Sequence, residues 1–250
     1  MEIITIINQK GGVGKTTTAQ NLGYGLLKKK KKVLLVDLDP QTNLSFTVMA
    51  EGAKNGIFEV LTGEKKINEV IYHIGKMDII PSNDRLIIIG KYLTSKNSEY
   101  TLQRCFKELG EQYDYIVIDT PPALGTLTVN ALTASNRAII TAQADIYSLQ
   151  GITQLAQSIN VIKEHTNKNL VISGILLTRY NKRSILSKDM TENIDQLAHN
   201  LGTKVFDTKI RECIAIKEAQ AMQQDIFSYS PRSNGAKDYN DFIKEYLKNN

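Results

Sequence analysis

The chain has 250 residues, 42% hydrophobic and 23% charged, a balance that fits a soluble globular fold with a buried core and argues against disorder. No uninterrupted apolar stretch approaches the roughly 18 residues that span a bilayer, and the opening MEIITIINQKGG has neither a charged leader nor a small-residue cleavage site, so the expected location is cytoplasmic. The net charge of +5 fits either a polyanionic partner or a simple solubility effect, and Cys105 and Cys213, without metal-ligand spacing, speak against a zinc site or a disulfide framework.

Five apolar, mostly β-branched runs, at residues 3–7, 33–37, 115–119, 138–141 and 170–177, read as buried parallel strands. Segments with helical spacing or good helix formers separate them, at 16–29, 101–112, 149–164 and 185–201. This alternation predicts one α/β domain over 1–250, a doubly wound, mostly parallel sheet flanked by helices, with ligands beyond the carboxyl ends of the strands. Short strands at 77–81 and 204–206 are expected to extend the sheet, and 57–74 reads as short helices over one edge. Five lysines, 28–32, end a helix; a solvated terminus complementing the dipole and a DNA contact are both open. Tyr239, Phe242, Ile243, Tyr246 and Leu247 recur at helical spacing, which suits a helix on the core or one lying on a membrane.

The first strand runs into NQKGGVGKTTT (8–18) and then a helix, the order a phosphate cradle requires. Glycines let several backbone N–H groups reach one anion, and the helix N-terminus adds its positive end. Lys15 is expected on the β- and γ-phosphates and the Thr16 hydroxyl on Mg²⁺. Together Lys10, Gly11, Gly12, Val13, Gly14, Lys15, Thr16 and Thr17 make the expected nucleotide loop. The strict G-x-x-x-x-G-K-T pattern is not met, because Gln9 holds the first glycine position and a second lysine, Lys10, follows it.

Two further strands end in carboxylates. VLLVDLD (33–39) places Asp37 and Asp39 beside the phosphates, although an Asp pair at a strand end also caps a following helix. YIVIDTPP (115–122) ends in Asp119, which matches a Walker B carboxylate holding Mg²⁺ directly or through water, with 120–125 as a switch segment. Asn181, after a strand, fits an adenine contact or a turn equally well.

The KGGVGKTT loop, DLDPQTN and DTPP resemble the deviant Walker A family of ATPases, and within it the short ParA/Soj partition type, over nearly the whole chain. The resemblance implies that Lys10 reaches across an ATP-bound homodimer to the partner's nucleotide, that Asp39 orients the attacking water, and that Asp37 supports Mg²⁺ or the lysine network. It also implies non-specific DNA binding by the dimer, a ParB-like centromere-binding partner that stimulates hydrolysis, and nucleoid association when ATP is bound. Arg183 matches a DNA-binding arginine of the family, and Lys182, Lys209, Arg211 and Lys217 would enlarge that patch. IRECIAI (210–216) and PRSNG (231–235) depart from the family wording there. A MinD-like membrane-associated positioning ATPase and a metabolic or cluster-assembly P-loop enzyme are the rival readings.

Overall fold

The computed structural model describes residues 1–248. In β1 (Glu2–Ile7) every residue after Glu2 is buried, because a strand covered on both faces has no polar side to alternate. The other strands are β2 (Val33–Asp37), β3 (Tyr72–Ile74), β4 (Met77–Ile80), β5 (Tyr115–Asp119), β6 (Arg137–Ala142) and β7 (Val171–Leu177). They form one seven-stranded sheet in the order β3-β4-β2-β5-β1-β6-β7. Neighbours run parallel except β3 and β4, an antiparallel hairpin at the edge. The expected doubly wound α/β architecture is the one observed.

The helices are α1 (Lys15–Lys28), α2 (Asn43–Thr47), α3 (Ile57–Thr62), α4 (Thr101–Lys107), α5 (Thr126–Ala134), α6 (Ile146–His165), α7 (Ile185–Asn200), α8 (Ile214–Ala221), α9 (Ile226–Tyr229) and α10 (Asn234–Lys248). Strand side chains alternate between the two layers. Leu35 packs with Leu22 and Leu26 of α1 and with α10, whereas Leu34 and Val36 pack with α3, α4 and α5. Helices α6 and α7 cover β6 and β7. The chain leaves β1 for β2 on one side and later reaches β6 on the other. At such a switch point, connections diverge and a crevice opens at the carboxyl ends of the strands.

The C-terminal helix resolves one open reading. Tyr239, Phe242, Ile243 and Tyr246 are each at most 1% exposed, packed on α1 and the sheet, so this apolar face belongs to the core. Among the described residues no helix is long and apolar enough to cross a membrane. Lysines 29–32 are exposed where α1 ends. Lys30 takes the left-handed angle (φ 61) that closes the helix, and the Lys28 ammonium lies 4.8 Å from the Phe227 ring centroid.

Four boundaries differ from expectation. Residues 72–74, expected as helix, pair with β4, because Gly75 at φ 62 permits a two-residue turn. Residues 204–206 touch the sheet through a single bridge, Val205 to Ile175, and extend no strand. Helix α4 stops at Lys107, where Glu108, Leu109 and Gly110 donate three residues back and Gly110 turns to φ 55. Helix α6 starts at Ile146, three residues early, because Asp145 caps it by accepting the Ser148 N–H.

Strand β4 and helix α3 meet at Gly56. Its φ of −160 is open to any residue, but a Cβ there would overlap the Pro81 carbonyl oxygen, and the next N–H, of Ile57, donates to that oxygen at 2.9 Å. Gly56→Ala should therefore destabilise the protein by roughly 1–3 kcal/mol through overpacking. A urea midpoint equal to wild type would contradict this.

Candidate functional site

Two glycines shape the turn between β1 and α1, Gly12 at φ 73 and Gly14 at φ 80, angles that strain any side-chain-bearing residue. Gly14 is also the N-cap of α1; no side chain caps that end and no acidic residue lies in its first turn. The first-turn N–H groups are thus left for an anion, at the positive end of the helix. The turn is tied down from three strands. Asn8 Nδ2 donates to the Thr141 carbonyl at 2.5 Å and Asn8 Oδ1 accepts the Lys10 N–H at 2.9 Å. From β7's end, the Thr178 hydroxyl donates to the Val13 carbonyl at 2.9 Å. Thr178 is not legible as a site residue in the sequence, since only the fold brings residues 13 and 178 together.

Beyond the turn lies a cavity of about 540 Å³, lined by Gly11, Gly12, Gly14, Lys15, Thr16, Thr17 and Asp39, and by Arg179, Glu212 and Cys213. Its size suits a nucleotide-sized ligand. Register sets Asp37 directly beside Asp119, and the Leu38 N–H donates to the Asp119 carbonyl at 3.0 Å, so the acidic ends of β2 and β5 are joined. Asp39 lines the cavity, with Oδ1 accepting the Gln41 N–H at 3.0 Å. Asp37 is fully buried and both its oxygens are engaged, one by the Asp39 N–H and the other by the Ser45 N–H and hydroxyl.

Electrostatics distinguish these groups. Burial, then the Asp37 charge, hold the Asp119 carboxyl well above the usual carboxylate range, against the pull of the Thr16 hydroxyl and the Lys15 ammonium; the Thr16 hydroxyl lies beside it, but neither carboxylate oxygen meets the geometry of a full hydrogen bond among the described residues. Burial pushes Asp37 up to about 6, against the pull of its hydrogen bonds. Burial lowers the Lys15 ammonium, opposed by Asp119 and Asp39. Orphaned, buried carboxylate oxygens are what an incoming cation would satisfy. No cluster of three or more His, Cys, Asp or Glu among the described residues could hold a metal unaided. That suits Mg²⁺, which takes one or two carboxylates and completes its shell with water and phosphate.

The other expected residues divide. Val13 is buried and contributes backbone only. Lys10 lies outside its own cavity, its Nζ 2.8 Å from Asp145 Oδ2. Asn181 does not line the cavity; its Oδ1 accepts the Arg183 N–H at 3.0 Å, which is the turn reading. Lys182, Lys209 and Arg211 share a second cleft with Lys188 and Lys237, but Arg211 makes an ion pair with Asp238 at 2.5 Å. Arg183 is exposed beside it on the same turn. Lys217 lies on the nucleotide cavity instead, 3.2 Å from Glu212.

A family model described as an AAA domain matches residues 1–172. The chain is 38% identical to the sporulation initiation inhibitor protein Soj of Bacillus subtilis, over 99% of each chain. It is 35% identical to the chromosome-partitioning ATPase Soj of Treponema pallidum, over 98% of this chain and 96% of that one. The chain belongs to the ParA/Soj family of P-loop ATPases. Among solved structures, cobyrinic acid a,c-diamide synthase from Mycobacterium smegmatis, with bound ATP analog and magnesium, superposes with a TM-score of 0.86 at 29% identity, covering 99% of this chain and 95% of that one.

In this ParA/Soj-family ATPase the buried Asp37 gives a pH signature. Its folded value of about 6 exceeds the ordinary 3.8, so the folded state holds the proton more tightly, and stability from this group is lost as pH rises toward 6. In nucleotide- and metal-free protein, the unfolding free energy of wild type relative to Asp37→Asn should fall by about 2–3 kcal/mol between pH 4 and 7. Equal pH profiles for the two proteins would contradict the assignment.

Proposed function

We propose that this ParA/Soj-family ATPase partitions DNA by cycling between nucleotide states. Mg-ATP brings two copies face to face, the pair binds DNA non-specifically, and hydrolysis stimulated by a ParB-like centromere-binding partner releases it. The chain acts as one domain in the cytoplasm, on the nucleoid while ATP is bound. The observation that carries this reading is the division between two loop lysines. Lys15 lines the cavity of its own subunit, whereas Lys10 stands outside it, half-exposed on Asp145, where a second copy could receive it.

In this scheme Lys15 and the N–H groups of Gly11 to Thr17 cradle the phosphates. Asp119 and the Thr16 hydroxyl would hold Mg²⁺, which would supply neutralisation of charge on the phosphates. Asp39 lies on the cavity wall and orients the attacking water. Asp37, with both oxygens already accepting, holds the Asp39 loop rather than the ion. The partner's Lys10 stabilises transition-state charge in the manner of an arginine finger. DNA phosphates are met by Arg183, Lys182 and Lys209. Arg211 and Lys217, engaged by Asp238 and Glu212, contribute less.

Co-sedimentation with DNA and with anionic liposomes, each with ATP, ADP and no nucleotide, tests this function. Salt-sensitive DNA binding with ATP alone supports it. Liposome binding without DNA binding would point to membrane positioning, and binding to neither to a metabolic role like that of the synthase. Lys15→Ala should abolish nucleotide binding by calorimetry; unchanged ATP affinity would remove Lys15 from the cradle. Arg183→Ala should weaken DNA binding and lower the salt slope by about one for each DNA phosphate the arginine neutralises, with ATP affinity unchanged. An unaltered slope would place Arg183 outside the interface.

A further inference from the structure

Between the ends of β2 and β4 runs a closed circuit of buried hydrogen bonds. The Ser45 hydroxyl donates to Asp37 Oδ2 at 2.7 Å and accepts the Ser82 N–H at 2.9 Å. The Ser82 hydroxyl donates to the Asp39 carbonyl oxygen at 2.6 Å, and the Asp39 N–H returns to Asp37 Oδ1 at 3.0 Å. Ser45, Ser82, Asp37 and Asp39 are all buried. Loss of the Ser45 hydroxyl would leave the buried Ser82 N–H without its acceptor, and loss of the Ser82 hydroxyl would remove one of the two donors to the Asp39 carbonyl.

Ser82 lies two residues past the end of β4, and Pro81 before it is fixed by the Ile57 N–H and by the absence of a Cβ on Gly56. The circuit thus ties the irregular turn at 39–42 to a rigid part of the sheet. The Asp39 carbonyl has two donors, the Thr42 N–H at 2.9 Å within its own turn and the Ser82 hydroxyl from outside. Only the second fixes the turn relative to the sheet.

We propose that Ser82, supported by Ser45, is a positioning residue for ATP hydrolysis, holding the Asp39 backbone so that its carboxylate meets the attacking water in one orientation. This rests on the reading that Asp39 orients that water. Losing the Ser82 hydroxyl leaves the turn held by the Thr42 and Asp39 N–H groups but untied from the end of β4. A misplacement near 1 Å costs on the order of 100-fold in rate, while ground-state binding through the glycine loop is untouched.

Single-turnover phosphate release and the affinity for a slowly cleaved ATP analogue should be measured for Ser82→Ala, Asp39→Ala and the double variant. The expected result is a rate reduced about 10- to 100-fold in Ser82→Ala, affinity within about twofold of wild type, and no further loss on adding Ser82→Ala to Asp39→Ala. A wild-type rate in Ser82→Ala with an inactive Asp39→Ala would overturn the positioning role alone. A wild-type rate in Asp39→Ala would overturn the reading beneath it. Parallel losses of rate and affinity would make Ser82 a general structural element and also overturn the role. If Ser82→Ala does not fold, Ser45→Ala breaks the same circuit one step earlier and carries the same expectations.

Discussion

Two carboxyl groups held out of water at the joined ends of β2 and β5 are the constraint around which the molecule is arranged. Parallel pairing with Asp37 opposite Asp119 forces two carboxylates together at full burial. Asp37 is relieved by three hydrogen bonds, whereas Asp119 has only the Thr16 hydroxyl beside it, short of full hydrogen-bond geometry. Such a group opposes folding, and only a well-packed frame tolerates it. The frame is visible in the clusters on either side of the sheet, where Leu34, Val36, Ile116 and Ile118 face α3 to α5 and Leu35 and Val117 face α1 and α10. The uncapped start of α1 supplies the opposite imbalance, N–H groups lacking an acceptor. A magnesium-bound triphosphate would relieve both, with the cation at the acidic ends and phosphate oxygens at the helix.

A site completed by its ligand can report which ligand it holds. Asp39, the 39–42 turn and the Lys10–Asp145 pair all border the loop or the cavity, so a ligand phosphate placed there would act on all three. Lys10 in this conformation serves the N-terminus of α6, where Asp145 already caps the helix. To act on a second subunit it must exchange that carboxylate for phosphate. The exchange exposes Asp145 and opens the half-exposed pair, a modest electrostatic loss for groups this accessible. On the proposed pairing, nucleotide state and subunit contact would be linked through this one side chain.

Much of this is legible in the sequence, for physical reasons that can be named. Strands buried on both faces leave unbroken apolar runs, and their acidic last residues, Asp37 and Asp119, mark the ligand end. The glycine loop is read from short spacings alone. Helix α5 escapes such a reading because Leu127, Thr128, Asn130, Ala131, Leu132, Thr133 and Ala134 are all buried, leaving no polar stripe to give a helical period. Helix α8 escapes it where its wording departs from the family. Contacts across long sequence separations leave no trace: Thr178 on the loop, Asp238 on Arg211, Ser82 on Asp39. The ion pairs of Arg211 with Asp238 and of Lys217 with Glu212 are likewise hidden, since charge is visible in a sequence and its partner carboxylate is not.

The face-to-face pairing on ATP is the claim from which the switching account follows, and solution mass tests it most directly. Sedimentation equilibrium of the full chain with Mg²⁺ and a slowly cleaved ATP analogue should give twice the chain mass, against one chain mass with Mg-ADP. One chain mass under both conditions, at nucleotide concentrations shown to saturate the site, would contradict it.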